Sequence, residues 1–171
     1  MADTHTRNDL DKLVELIKDV QFTMFTTRTS DGELRARPMT SLEPDTSGSL
    51  WFLMSSDIDT LDEIAADPSV GLTYSDNGKG TYIAVAGRAA VRDDRAKIRD
   101  LWNPAWKAWF ESPDDPTIRL VEVTVTSAWY WDSPDSRVVR LFGIVAAAVT
   151  GDTYDAGEQG EIRVPAGTSR S

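Results

Sequence analysis

Arg35-Ala36-Arg37-Pro38-Met39-Thr40 is the stretch whose reading decides how this chain builds its sheet. Strand alternation puts Arg35, Arg37 and Met39 on one face and Ala36, Pro38 and Thr40 on the other. Pro38 has no N–H to give to a ladder, so the segment reads as a sheet edge or a bulge. Two guanidinium groups beside an interrupted backbone suit a planar, anionic ligand. The same residues also fit an edge strand with solvated arginines. Upstream, residues 22–29 are rich in threonine and aromatics and read as a strand. Ser30-Asp31-Gly32-Glu33 is a turn, so residues 22–29 and 33–42 should pair as a hairpin.

Before the hairpin, Leu10, Leu13, Val14 and Ile17 recur at helical spacing and predict an amphipathic helix over 8–20. After it, residues 43–48 form a polar turn. Leu50-Trp51-Phe52-Leu53-Met54 is a short apolar strand expected to be covered on both faces. Ser55-Ser56-Asp57 signals a helix start, with Leu61, Ile64 and Ala65 as its apolar positions up to Pro68. Strands are predicted at 70–74 and 81–91, joined through an Asn77-Gly78 turn. Asp93-Asp94 caps a helix carrying Ile98, Leu101 and Trp102. Asn103-Pro104 breaks that helix and opens another with Trp106 and Trp109. Residues 118–130 form the last long strand, and Val138, Leu141, Phe142, Val145 and Val149 recur at helical spacing. The pattern divides the chain into a domain over 1–150 and a polar, glycine-rich tail over 151–171. Six strands in consecutive hairpins, with helices kept to connections and ends, predict a mostly β (α+β) fold, an antiparallel barrel with peripheral helices.

Composition narrows the function. In 171 residues the net charge is −10, which argues against nucleic-acid or anionic-membrane binding. No cysteine is present, so disulfides, thiolate metal sites and cysteine nucleophiles are excluded. No apolar run has membrane-spanning length and no secretory leader is visible, so a cytoplasmic location is expected. His5 is the sole histidine, which leaves no histidine-based triad or metal centre. No metal site is expected: Asp57, Asp59, Asp62 and Glu63 read as a solvated helix face, with a hard-cation site as the lesser alternative.

A chain so poor in acid–base groups either binds something or borrows reactivity from a cofactor. Three features point to the second option: the Arg-x-Arg-Pro-Met strand, the Ser55-Ser56 helix mouth suited to a phosphate, and the tryptophans. Trp102, Trp106 and Trp109 lie near one connection, and Trp129 and Trp131 near another. Each ring fits a core or a dimer interface, and each can also stack on a flat heterocycle.

In order along the chain come Phe25-Thr26-Thr27, Arg37-Pro38-Met39, Leu50-Trp51-Phe52 and Asp67-Pro68-Ser69-Val70. Then follow Gly87-Arg88-Ala89, Leu101-Trp102-Asn103-Pro104, Lys107-Ala108-Trp109-Phe110, Asp114-Asp115-Pro116 and Tyr130-Trp131-Asp132-Ser133-Pro134. This ordered set resembles the general stress protein 26 group of the pyridoxamine 5′-phosphate oxidase-like, FMN-binding split-barrel superfamily. The resemblance implies a six-stranded split β-barrel that forms a homodimer, with flavin in the groove between subunits. It implies that Arg37, Pro38 and Met39 line the isoalloxazine and ribityl side, and that Ser55, Ser56 and the following helix face the phosphate. It further implies that Trp109 and Trp131 approach from the other subunit. One departure stands out: where relatives commonly carry lysine at the start of that helix, this chain has Thr60. A neutral donor there, among Asp57, Asp59 and Asp62, costs about tenfold or more in affinity.

Three functions compete on this evidence. They are an FMN-dependent oxidoreductase with an unidentified small-molecule substrate, a non-catalytic flavin-binding stress protein, and a flavin-free structural dimer. FAD or a deazaflavin could replace FMN in the first two. Replacing Arg37 with alanine is expected to weaken flavin binding with little cost to the fold.

Overall fold

In a computed structural model, residues 2–42, 49–132 and 158–163 are described. The first element is helix α1 (Ala2–Ile17), longer at its start than the predicted 8–20, with Leu13 and Ile17 buried on the sheet. Strands β1 (Phe22–Arg28) and β2 (Leu34–Thr40) form the expected antiparallel hairpin, Thr27 opposite Arg35 and Met24 opposite Pro38. Gly32 makes the turn possible, because its φ of +88° is left-handed and costly for a side-chain-bearing residue. Next come β3 (Ser49–Ser55), α2 (Asp59–Ala66), β4 (Ser69–Asp76) and β5 (Thr81–Arg92). The chain continues through α3 (Arg95–Asp100), a 3-10 turn (Pro104–Ala108), β6 (Ile118–Asp132) and β7 (Glu158–Arg163). The starts of α3 and the 3-10 turn obey their capping chemistry: the Asp94 carboxylate accepts from Lys97 N–H, and Asn103 accepts from Ala105 N–H.

The strand order is β2-β1-β4-β5-β6-β3, all antiparallel, with β7 also on β6. This departs from the predicted six-stranded barrel in two ways: among the described residues there are seven strands, and the sheet they form is not closed. The extra strand follows from the length of β6. Its first half, 118–124, pairs with β3, and residues 127–132 have an edge left over, which β7 fills. Openness follows from β2, which lies at the sheet edge as Pro38 demands. One backbone hydrogen bond, Leu42 N–H to the Trp51 carbonyl (3.3 Å), reaches from the end of β2 towards β3.

β3 is covered on both faces, as its unbroken apolar run predicts. Leu50, Phe52 and Met54 join the main core with Phe25, Leu72, Tyr74, Val85 and Val123. Leu53 joins a second cluster beneath α3 and the 3-10 turn with Leu42, Ile98, Trp106, Phe110 and Leu120. Phe25 meets Phe52 edge-to-face at 5.1 Å. A bulge interrupts β5–β6 at Ala86/Gly87. There Gly87 is required by space: a Cβ would lie 2.6 Å from Val123 Cγ1 and 2.8 Å from the Thr124 carbonyl oxygen. The predicted turn at 43–48 and helical spacing at 138–149 lie outside the described residues. No helix among the described residues is long and apolar enough to cross a membrane.

Candidate functional site

The β1–β2 hairpin fixes which way the arginines face. Opposed residues of an antiparallel pair share a face, so Arg35 and Arg37 stand beside Thr27 and Phe25 on the inner side. Helix α2 lies against that rim. Its residues Thr60, Glu63 and Ile64, at helical spacing, form its buried stripe. Ala65, predicted to belong to the stripe, is exposed.

Glu63 is the hub where the two elements meet. Its carboxylate accepts from Arg37 Nη2 at 2.9 Å, Arg35 Nη1 at 3.2 Å and the Thr27 hydroxyl at 2.5 Å. Arg37 Nη1 also donates to Thr27 Oγ1 at 3.0 Å, and Arg35 Nη1 lies 3.7 Å from Asp59 Oδ2. Glu63 is 8 % exposed, against 24 % and 51 % for the Arg37 and Arg35 side chains. The hydrogen bond from Arg37 holds its carboxyl below the usual range; burial opposes this, and Thr27 and the charges of both arginines reinforce it. The solvated-helix-face reading is therefore corrected at this residue: Asp57, Asp59 and Asp62 are exposed, but Glu63 is a buried counter-ion. Its position three residues after Thr60 and one before Ile64 was the available signal, since that spacing puts it on the inward stripe.

The remaining predicted residues divide clearly. Met39 shares the face of Arg37 but packs against the main core, while Pro38 points to the outer face. Ser55 and Ser56 stand at the mouth of α2, where both hydroxyls donate to Asp57 Oδ1, at 3.0 and 2.8 Å. Thr60, in the first turn of α2, is 1 % exposed, and its hydroxyl has no hydrogen-bond partner. Trp109 follows the 3-10 turn, 5.8 Å from the Trp106 ring and 65 % exposed. Trp131 lies on β6 opposite Tyr82 and is 47 % exposed. The structure joins Arg37 to α2 through Glu63, and Ser55, Ser56 and Thr60 lie at the start of that helix. Trp109 and Trp131 belong to other parts of the chain.

The donor set suits the oxygens of a phosphate. The cap residue of α2, Ile58, offers no side-chain hydrogen bond to the first turn, and an orphaned hydroxyl sits in that turn. An anion accepting from both would satisfy groups that are otherwise costly to leave unpaired. The charge balance is less generous. Two guanidiniums face four carboxylates at 57, 59, 62 and 63, so binding must rest on directed hydrogen bonds more than on a positive field.

A family model described as pyridoxamine 5′-phosphate oxidase like matches residues 8–155. The chain is 27 % identical over 171 residues to Protein bli-3 of Neurospora crassa, covering 88 % of this chain and 82 % of that one. It superposes on a putative general stress protein 26 of Jannaschia sp. with a TM-score of 0.74 and 26 % identity, covering 92 % and 99 % of the two chains. A general stress FMN/FAD binding protein of Xanthomonas citri aligns with a TM-score of 0.63 and 27 % identity, covering 73 % and 89 %.

Proposed function

Since this chain belongs to the pyridoxamine 5′-phosphate oxidase-like family, we propose that it binds a flavin, with FMN as the preferred form, between two copies of itself. The observation that carries the reading is the meeting of β2 and α2 through Glu63, which sets guanidinium groups beside an uncapped helix mouth. The description of the Xanthomonas citri relative as FMN/FAD binding supports the choice of cofactor.

Each residue has a defined part. Ser55, Ser56 and Thr60 donate hydroxyl hydrogen bonds to the phosphate, together with the first-turn amides of α2. Glu63 holds Arg37 in one orientation, so the guanidinium presents its remaining donors without an ordering cost at the moment of binding. Arg35, more open and tied to Glu63 by a longer bond, supplies charge at the rim. Trp109 and Trp131 of the second copy close the groove over the ring. A bound flavin supplies hydride and electron transfer, and the protein contributes position and electrostatics. On that basis the protein is an FMN-dependent oxidoreductase acting on a small molecule.

One observation favours a second reading, in which the flavin is held without turnover. The only buried carboxylate at the seat among the described residues, Glu63, is fully engaged with two arginines and a threonine and is not available to move protons. The test is to load the protein with FMN, measure its size by light scattering, and compare photochemical reduction and reoxidation by oxygen with free FMN. Faster reaction of the bound flavin supports the enzyme, and tight binding with no acceleration supports the carrier. A colourless monomer indifferent to FMN, FAD and a deazaflavin in calorimetry removes the flavin reading altogether.

A further inference from the structure

We propose that a cleft at the end of β5 and the start of β6, lined by none of the residues assigned above to flavin, binds a small organic anion. Its ligand would be a phosphate or carboxylate on an apolar body. The cleft holds about 430 Å³ between the end of β5, helix α3 and the segment 116–119. Val91, Ile98 and Ile118 give it an apolar floor, and Arg92, Arg95 and Arg119 line it, with Asp93 as the acidic residue among its lining. Three arginines around one hollow are conspicuous in a chain whose net charge is −10.

The way these arginines are held matters more than their number. Arg92 donates to the Glu122 carboxylate at 2.7 Å, and Glu122 also accepts from the Ser49 hydroxyl, so that charge is spent within the fold. Arg95 Nη1 donates instead to the Asp115 carbonyl oxygen at 2.9 Å. Arg119 Nη1 donates to the carbonyl oxygens of Pro116 and Ile118, at 2.7 and 3.0 Å. A carbonyl fixes a guanidinium in place but does not cancel its charge. Each guanidinium carries five N–H donors, so both keep several to spare. The nearby Asp115 carboxylate accepts from the Thr117 amide and hydroxyl and the Glu111 amide, and it also feels the Arg95 charge, so it offsets part of that charge. The wall itself is braced by Arg99, whose guanidinium grips Asp114 at 2.7 Å and ties the loop to α3. The cleft is therefore pre-ordered and half-buried, with the Arg119 guanidinium and part of the Arg95 charge set beside an apolar surface. That combination suits an organic anion better than a bare inorganic one, because the apolar body adds burial to the ionic contacts.

Phenyl phosphate is the probe, titrated calorimetrically into the full chain with benzyl alcohol as the neutral control. The expected result is saturable binding of one phenyl phosphate per chain, weakened by added salt, with no binding of benzyl alcohol. Arg119→Gln and Arg95→Ala should each lower the affinity about tenfold or more. Asp93→Asn, at an exposed position that carries no cap, should raise it several-fold. This opposite sign keeps the test informative if an arginine variant unfolds. No saturable binding, or an affinity indifferent to Asp93→Asn and Arg119→Gln, overturns the proposal. So does an isotherm abolished by Arg37→Ala, which would put the probe at the β2–α2 edge.

Discussion

Replacing Glu63 with glutamine should cost stability at neutral pH and nothing at low pH. The substitution keeps the shape of the side chain and removes its charge, so Arg37, Arg35 and Thr27 lose a common acceptor anion. Severing a fully buried ion pair costs about 3–5 kcal/mol because a charge is stranded without water. Here the stranded groups are the arginines, and their side chains are 24 % and 51 % exposed, so water can reach both. The charged hydrogen bond from Arg37 then dominates, and the pair with the more exposed Arg35 is strongly screened. The expected loss is about 1–2 kcal/mol, which for a chain of this size lowers Tm by roughly 2–8 °C.

The pH dependence separates this account from simple repacking. The Glu63 carboxyl is held below its ordinary value when folded, so its contribution is complete above the unfolded value, about 4.3. It fades as the pH falls through the lower folded value, because protonation then removes the charge in both states. Parallel urea titrations of wild type and Glu63→Gln at neutral pH and near pH 3 read the effect directly. The gap should close at the acid end. Equal stabilities at neutral pH, or a gap of constant size down to pH 3, would refute the reasoning.

Arg37→Ala should lower FMN affinity more than tenfold by fluorescence titration. It should also cost about 1–2 kcal/mol of stability, since it removes the nearest charged partner of a buried carboxylate; an unchanged dissociation constant removes Arg37 from the seat. Thr60→Val fills the same space without the orphaned hydroxyl. It should leave the apo protein as stable or up to about 1 kcal/mol more stable, while FMN affinity falls several-fold. Loss of stability in calorimetry would mean that the hydroxyl has a partner within the fold. Gly87→Ala drives a methyl into the Thr124 backbone and Val123, so a loss of about 1–3 kcal/mol is expected by denaturant titration, and a neutral result would mean that the bulge yields easily.

Where local pattern and tertiary fold agree, the chain was legible. The Pro38 edge, the turn at Gly32, both-face burial of β3, the cap at Asp93-Asp94, the break at Asn103-Pro104, and the general stress protein 26 resemblance all follow from the residues alone. β7 was not legible, because Glu158-Gln159-Gly160-Glu161-Ile162-Arg163 alternates almost nothing apolar. Its Ile162 reaches the core, and Gly160 leaves room for the Tyr130 side chain, whose hydroxyl oxygen a Cβ would approach to 2.7 Å. The strand exists because β6 outruns β3, a fact of sheet length that no local pattern records. Glu63 was misread for a related reason. A carboxylate among three others looks solvated until two arginines, 26 and 28 residues away in sequence, arrive over it. The expectation that Arg37→Ala would spare the fold fell with it.

The outer face of the sheet carries the argument for a second copy furthest. An antiparallel sheet with one wet face should show polar residues there. Over most of the sheet the outward positions are Ala36, Pro38 and Thr40 on β2, Phe22, Met24 and Thr26 on β1, and Gly71, Thr73 and Ser75 on β4, with Leu34, Arg28 and Ser69 at the far end. They continue as Tyr82, Ala84 and Ala86 on β5 and Ser127, Trp129 and Trp131 on β6. In a chain that is 27 % charged, none of these positions short of the far end bears a charge; on the same face charge enters at that end of the strands, with Arg28 and Arg88. Phe22, Met24, Tyr82, Trp129 and Trp131 are each between 38 % and 57 % exposed, so the face has the character of an interface core. Pro38 and Trp131 belong to this face, whereas Arg37 looks inward at the opposite side of the same edge strand. A copy docked on the face would therefore bring its aromatic rings to the very strand that carries the guanidiniums. Both the proposed dimer and the proposed flavin seat thus depend on the alternation of β2 about a single proline.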